Sequence, residues 1–111
     1  MMAFKIFRPD EWAQMQRDGQ TDGAPIDLID GYVHLSTAEQ LAGTLHKHFA
    51  DDHDLHLLAC ELDRMKDDIR WETSRGGALF PHLYRPLRMS DISWTRLLTR
   101  GPNGHETGPL E

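Results

Sequence analysis

Glu72, His34, His82 and Tyr84 are the residues whose types suit chemistry in a cleft, and each sits where strand alternation gives it companions. In Tyr-Val-His-Leu-Ser, Tyr32, His34 and Ser36 point to one side and Val33 and Leu35 to the other. In Ile-Arg-Trp-Glu, Arg70 and Glu72 share a side opposite Ile69 and Trp71. In Phe-Pro-His-Leu-Tyr, Phe80, His82 and Tyr84 share a side opposite Leu83. Each stretch keeps one apolar face and offers a second of hydrogen-bonding and aromatic groups. Solvated faces usually carry Lys, Glu and Thr, so His beside Tyr is the informative choice. A carboxylate supplies negative charge, His and Ser supply donors and acceptors, and Tyr supplies a flat apolar face.

Every one of these residues also has a plain structural reading. His34 is either a buried histidine bonded to backbone or a ligand contact. Ser36 can cap the following helix, and its hydroxyl can touch a ligand as well. Glu72 suits a surface strand, and His82 and Tyr84 beside Pro81 and Pro86 suit a locked turn. Arg75-Gly76-Gly77 reads as a flexible loop or as an anion site built from an arginine and exposed amides.

Other constellations are weaker. His46 and His48 are two apart on a predicted helix and diverge, and no CxxC or HExxH spacing occurs, so no metal is expected. Cys60 lies inside an apolar strand, as inert core. The three tryptophans and the methionines are most simply core or packing. No phosphate loop, dinucleotide glycine fingerprint or nucleophile elbow is present, which disfavours the folds that carry them.

The elements that must position these residues are short. Phe4–Arg8 reads as a first strand, with Phe4, Ile6 and Arg8 on one face and Lys5 and Phe7 on the other. A helix opens at Pro9-Asp10-Glu11-Trp12, with Asp10 as N-cap, and stops at Gly19. The stretch from Gly19 to Asp27 reads as a polar loop. Gly31–Thr37 is a strand, followed by a helix to about Phe49 that starts from one of two competing capping boxes, Ser36 with Glu39 or Thr37 with Gln40. Leu55–Leu62, the most continuous apolar run, is a central strand; Ile69–Glu72, Pro81–Leu87 and Ile92–Leu98 are further strands. Pro86 marks an edge or a strand end. The expected fold class is α+β: small, mainly antiparallel sheets with at least two packed helices.

The 111 residues suit one domain, taken as 1–99, with a Gly- and Pro-rich flexible tail from Arg100 whose last pair, Leu110-Glu111, reads as a cloning scar. A net charge of -6 argues against nonspecific nucleic-acid binding, which needs a basic surface, though it permits a small anionic ligand held by a few arginines. A single cysteine, no membrane-length apolar run and no signal-peptide h-region give a cytoplasmic expectation with no membrane partner.

The stretches Gly-Tyr-Val-His-Leu-Ser-Thr-Ala-Glu-Gln-Leu-Ala-Gly-Thr-Leu-His-Lys-His-Phe (31–49), Trp71-Glu72 and Phe-Pro-His-Leu-Tyr-Arg-Pro-Leu (80–87) together resemble the bacterial domain of unknown function family numbered 952. The resemblance runs from about Phe4 to Leu98. The family more often has a histidine near the end of the first strand, where this chain has Arg8 and Pro9. The resemblance implies a fold similar to ADP-ribosyltransferases and RNA 2'-phosphotransferases, two small sheets forming a cleft. It implies that His34 and Ser36 hold a ribose and that Tyr84 with His82 lines the cleft. Glu72 would be the acid, although it precedes Tyr84 where the usual acid follows the tyrosine.

These readings combine into an expectation of a cleft that binds a nucleotide-like or phosphorylated small molecule through His34, Ser36, Arg75, His82 and Tyr84. Its enzymatic form is an ADP-ribosyltransferase-like or phosphotransferase-like domain with Glu72 and His34 as catalytic residues and NAD as substrate. Its non-enzymatic form is a metabolite- or peptide-binding module.

Overall fold

The computed structural model describes residues 1–110, with Arg75 described in its backbone only. The architecture is α+β, with three α-helices and several small antiparallel sheets among the described residues. β1 (Met2–Phe7), β4 (Ser36–Thr37), β5 (His56–Glu61) and β9 (Ile92–Leu97) form a four-stranded sheet in the order β4-β1-β5-β9. β3 (Val33–His34), β7 (Leu79–Leu83) and β6 (Ile69–Thr73) form a three-stranded sheet with β7 in the middle. β2 (Gln20–Thr21) pairs β8 (Leu87–Arg88), and β10 (Thr99–Gly101) pairs β11 (Gly104–Glu106).

β5 is central, as its apolar run requires: Leu57, Leu58, Ala59 and Cys60 are fully buried. Both faces of this sheet are covered. Ala3, Phe7, Leu58 and Cys60 meet Val33, Leu35 and Leu83 of the second sheet side, together with Trp12 and Met15 of α1 (Pro9–Asp18). Phe4, Ile6, Leu57 and Ala59 meet Leu41 and Leu45 of α3 (Ala38–His48) on the opposite face. The two clusters follow from strand alternation, odd positions of β1 going one way and even positions the other.

Local rules explain several boundaries. β1 ends at Phe7 rather than Arg8. Arg8, not Asp10, is the N-cap residue of α1, because Pro9 already has the φ of a first helical residue and Glu11 accepts the Arg8 amide at 2.8 Å. The choice between capping boxes goes to Thr37 with Gln40, whose side chains bond each other's backbone amides at 3.3 and 3.1 Å. Leu83 ends β7 before Pro86, and Pro81 falls opposite Trp71 while the flanking amides of Tyr84 and Ser74 carry bonds across the β6/β7 pair.

Three stretches depart from the sequence reading. Residues 19–27 hold β2 and the start of α2 (Pro25–Asp30), a short helix with Pro25 at its first position and Asp27 accepting the Ala24 amide at 2.7 Å. Residues 33–37 are not one strand. The chain leaves the three-stranded sheet at His34, passes buried Leu35 and enters the four-stranded sheet at Ser36. Trp71 is exposed rather than core: it shares the core side of β6 with Ile69, but the packed cluster reaches Ile69 and not Trp71, while Trp12 is buried and Trp94 packs on Phe4. In the Gly- and Pro-rich end, β10 and β11 make a hairpin, His105 reaches the Phe49 carbonyl at 2.7 Å and Leu110 packs against the α3 cluster. Among the described residues no helix is long and apolar enough to cross a membrane.

Candidate functional site

The three-stranded sheet gathers the polar letters. The register sets His34 opposite His82 and His82 opposite Arg70, with Glu72 one step along β6 on the same face. Tyr32 precedes β3 and Tyr84 follows β7, so both rings stand at the same end of this face. Tyr32 is the centre of an aromatic group: its centroid lies 4.2 Å from His82, 4.6 Å from His34 and 5.1 Å from Tyr84, stacked on the last at 24°. His34 meets His82 edge-on at 5.1 Å.

Glu72 is the point where donors converge. The Tyr84 hydroxyl donates to its Oε1 at 2.6 Å, and His82 Nδ1 lies 2.9 Å from the same oxygen. These bonds, Tyr84 first and His82 second, hold the Glu72 carboxyl below its ordinary value, and the same bond raises the Tyr84 phenol. Arg70 lays its guanidinium over the Tyr84 ring at 4.7 Å, beside the carboxylate. Burial, then the charges of Asp30, Glu72 and Asp27, push Tyr32 upward.

His34 stands differently. Its Nδ1 is 2.5 Å from Asp27 Oδ1 and its Nε2 3.0 Å from Asp30 Oδ2, so both ring nitrogens already face carboxylates of α2. Asp27 is itself fully engaged: Oδ1 also takes the His34 amide, and Oδ2 takes the Ala24 amide and the buried Lys5 ammonium at 2.6 Å. Burial raises the Asp27 carboxyl, but the His34 bond and the Lys5 charge outweigh it and hold it below its ordinary value. Lys5 also donates to the His34 carbonyl at 3.1 Å, so it ties β1 to the base of β3. The packing needs two glycines. A Cβ at Gly23 would collide with the Asp27 carboxylate, and Gly31 takes φ 86° to turn α2 into β3.

The structure thus brings Glu72, His34, His82 and Tyr84 to one face. Ser36 does not join them. It belongs to the other sheet, buried, and its hydroxyl pairs with Thr44 Oγ1 at 2.9 Å, because the chain changes sheets at Leu35. The Arg75 side chain lies outside the described residues. The sequence reading missed Asp27, Asp30 and Lys5 as supports. The signal for Asp27 was present in Ala-Pro-Ile-Asp, a proline at a first helical position with an acid two residues on. Nothing local announces that Lys5, on a strand between two phenylalanines, turns inward.

Beside the tyrosine pair a pocket of about 300 Å³ opens between α2 and the turn after β7, bounded by Leu28, Tyr32, Tyr84, Arg85 and Pro86. Arg85 shapes that turn through Asp68 at 3.0 Å and a two-pronged contact with Asp91 at 2.7 and 2.9 Å. A pocket of about 320 Å³ between α1 and α2, bordered by Gln14, Asp18 and Thr21, shares none of the aromatic cluster. Among the described residues no three His, Cys, Asp or Glu side chains are grouped to hold a metal.

No curated protein matches the chain. The crystal structure of protein CC0527 from Caulobacter crescentus is 40% identical to it with a TM-score of 0.89, covering 95% of this chain and 92% of that one. The solution NMR structure of CC0527 is 40% identical with a TM-score of 0.83, covering 94% and 90%. Residues 6–95, a span that holds the three helices and the polar face, match the family described as Protein of unknown function (DUF952), and the chain belongs to the DUF952 family.

Proposed function

We propose that the polar face of the three-stranded sheet binds a nucleotide-like or phosphorylated small molecule, with Tyr32 and Tyr84 taking a planar ring and Arg70 an anionic group. One observation carries the reading: two donors converge on Glu72 Oε1 directly beside a stacked tyrosine pair. Such a carboxylate is ionised, oriented and next to a surface suited to a base or nicotinamide. The resemblance of the family fold to ADP-ribosyltransferases and RNA 2'-phosphotransferases points the same way.

The enzymatic form of the reading takes NAD as substrate. The C1'–N bond breaks and its electron pair leaves with neutral nicotinamide. The ribosyl cation faces the Glu72 carboxylate, which lowers the barrier to its formation. An acceptor oxygen then forms the new bond to C1', and its proton passes to solvent. The non-catalytic module is favoured by one fact: His34, assigned the ribose by resemblance, has both nitrogens committed to Asp27 and Asp30.

NMR titration with NAD, ADP-ribose and nicotinamide tests the ligand, with the Tyr32 and Tyr84 ring signals expected to move. Unmoved signals at millimolar ligand would remove the reading. Nicotinamide release from NAD, compared between wild type and Glu72→Gln, separates the forms. Release that collapses in the variant supports the enzyme; no release with retained binding supports the module.

A further inference from the structure

His82 is 2% exposed, yet its Nε2 has no hydrogen-bond partner among the described residues. A buried polar atom left unpaired is costly, and native proteins hold few of them. Its other nitrogen explains the choice of tautomer. Glu72 Oε1 already accepts the Tyr84 hydroxyl and, as a carboxylate, can only accept, so Nδ1 must carry the hydrogen that points at it. In the neutral imidazole Nε2 is then a bare lone pair.

What lies over the imidazole is Tyr32, ring against ring at 4.2 Å. Tyr32 is only half-buried, and it follows Gly31, a residue in the left-handed region that ends α2. Ring contacts, tilted against His34 and His82 and stacked on Tyr84, are what place its ring; its hydroxyl makes no hydrogen bond to the described residues. A side chain placed by ring contacts at the rim, against the face of an imidazole whose Nε2 has no donor, is a removable cover.

We propose that Nε2 of His82 accepts a hydrogen bond from a hydroxyl of the ligand, in the manner of a ribose or related polyol, once the Tyr32 ring swings aside. The inference rests on the nucleotide-like reading above and deepens it by assigning the hydroxyl-reading atom to His82 rather than to His34. Glu72 acts there as a positioning residue, fixing the tautomer and the ring plane.

The test has a ligand arm and a ligand-free arm. In the first, 15N spectra of the wild-type imidazole should show Nε2 unprotonated, and ADP-ribose should move that resonance upfield. The 2'- and 3'-deoxyribose analogues are compared, and the one lacking the recognised hydroxyl should bind about tenfold more weakly, the value of one hydrogen bond. If ADP-ribose moves the Glu72 and Tyr84 signals but leaves Nε2 unmoved and both analogues bind equally, the inference is overturned while the ligand reading stands. If no signal in the cluster moves, both fall. In the second arm, diethyl pyrocarbonate modification of His82 is followed by mass spectrometry. It should be slow in wild type and in Tyr32→Phe, and at least tenfold faster in Tyr32→Ala. Equal rates in all three would show that Tyr32 covers nothing.

Discussion

The two larger sheets treat polar groups in opposite ways. The four-stranded sheet is covered on both faces, and β5 reads as an unbroken apolar run because neither side meets water. The three-stranded sheet shares one apolar face with the common core and gives the other to Tyr32, His34, Arg70, Glu72, His82 and Tyr84. The first is built to be stable, and the charge it buries, Lys5, is neutralised by Asp27. The second holds a buried lone pair and an exposed carboxylate that stability alone does not call for. The difference locates candidate chemistry better than the presence of histidines does, since His46 and His48 lie on the exposed side of α3.

Substitutions can break this contrast in order of effect. Asp27→Ala should be the most damaging, at about 3–5 kcal/mol in urea denaturation, because it strands a buried ammonium and two amides. Replacing Lys5 and Asp27 together by Met and Leu should recover most of that loss. The pair also fixes an acid limit. With the folded Asp27 carboxyl held below its ordinary value, its contribution is complete above the ordinary carboxylate range and disappears as pH falls through the lower folded value, a loss absent from the double variant. Leu58→Ala, in the sheet covered on both sides, should cost about 2–5 kcal/mol. Ser36→Ala should cost about 1 kcal/mol through the Thr44 pair and leave ligand titrations unaltered. Glu72→Gln should leave the melting temperature unchanged while weakening ADP-ribose binding; a large fall in melting temperature would make the carboxylate a structural group.

Much of this contrast was legible in the sequence. Period-two alternation in residues 69–72 and 80–84 put Glu72, His82 and Tyr84 on one face because those stretches are straight, paired strands. The apolar run at β5 is equally local and equally readable, whereas the helix start offered two capping boxes and only the fold chose Thr37 with Gln40. Alternation failed at residues 32–36 for a specific reason. It predicts which side a residue faces within one sheet, and the chain changes sheets at Leu35, so Ser36 kept its parity with His34 and lost its neighbourhood. The pairing of Lys5 with Asp27 was opaque because a buried ion pair 22 residues apart is a tertiary fact, visible in neither segment alone.

That change of sheets has a consequence for how the molecule opens. His34 is hydrogen-bonded into one sheet and Ser36 into the other, with one residue between them and the α3 cap immediately after. Neither sheet can therefore fray along this edge without pulling on its neighbour. Native-state hydrogen exchange should find the amides of β1, β3, β4 and β7 released in a single cooperative event, one foldon spanning both sheets rather than two.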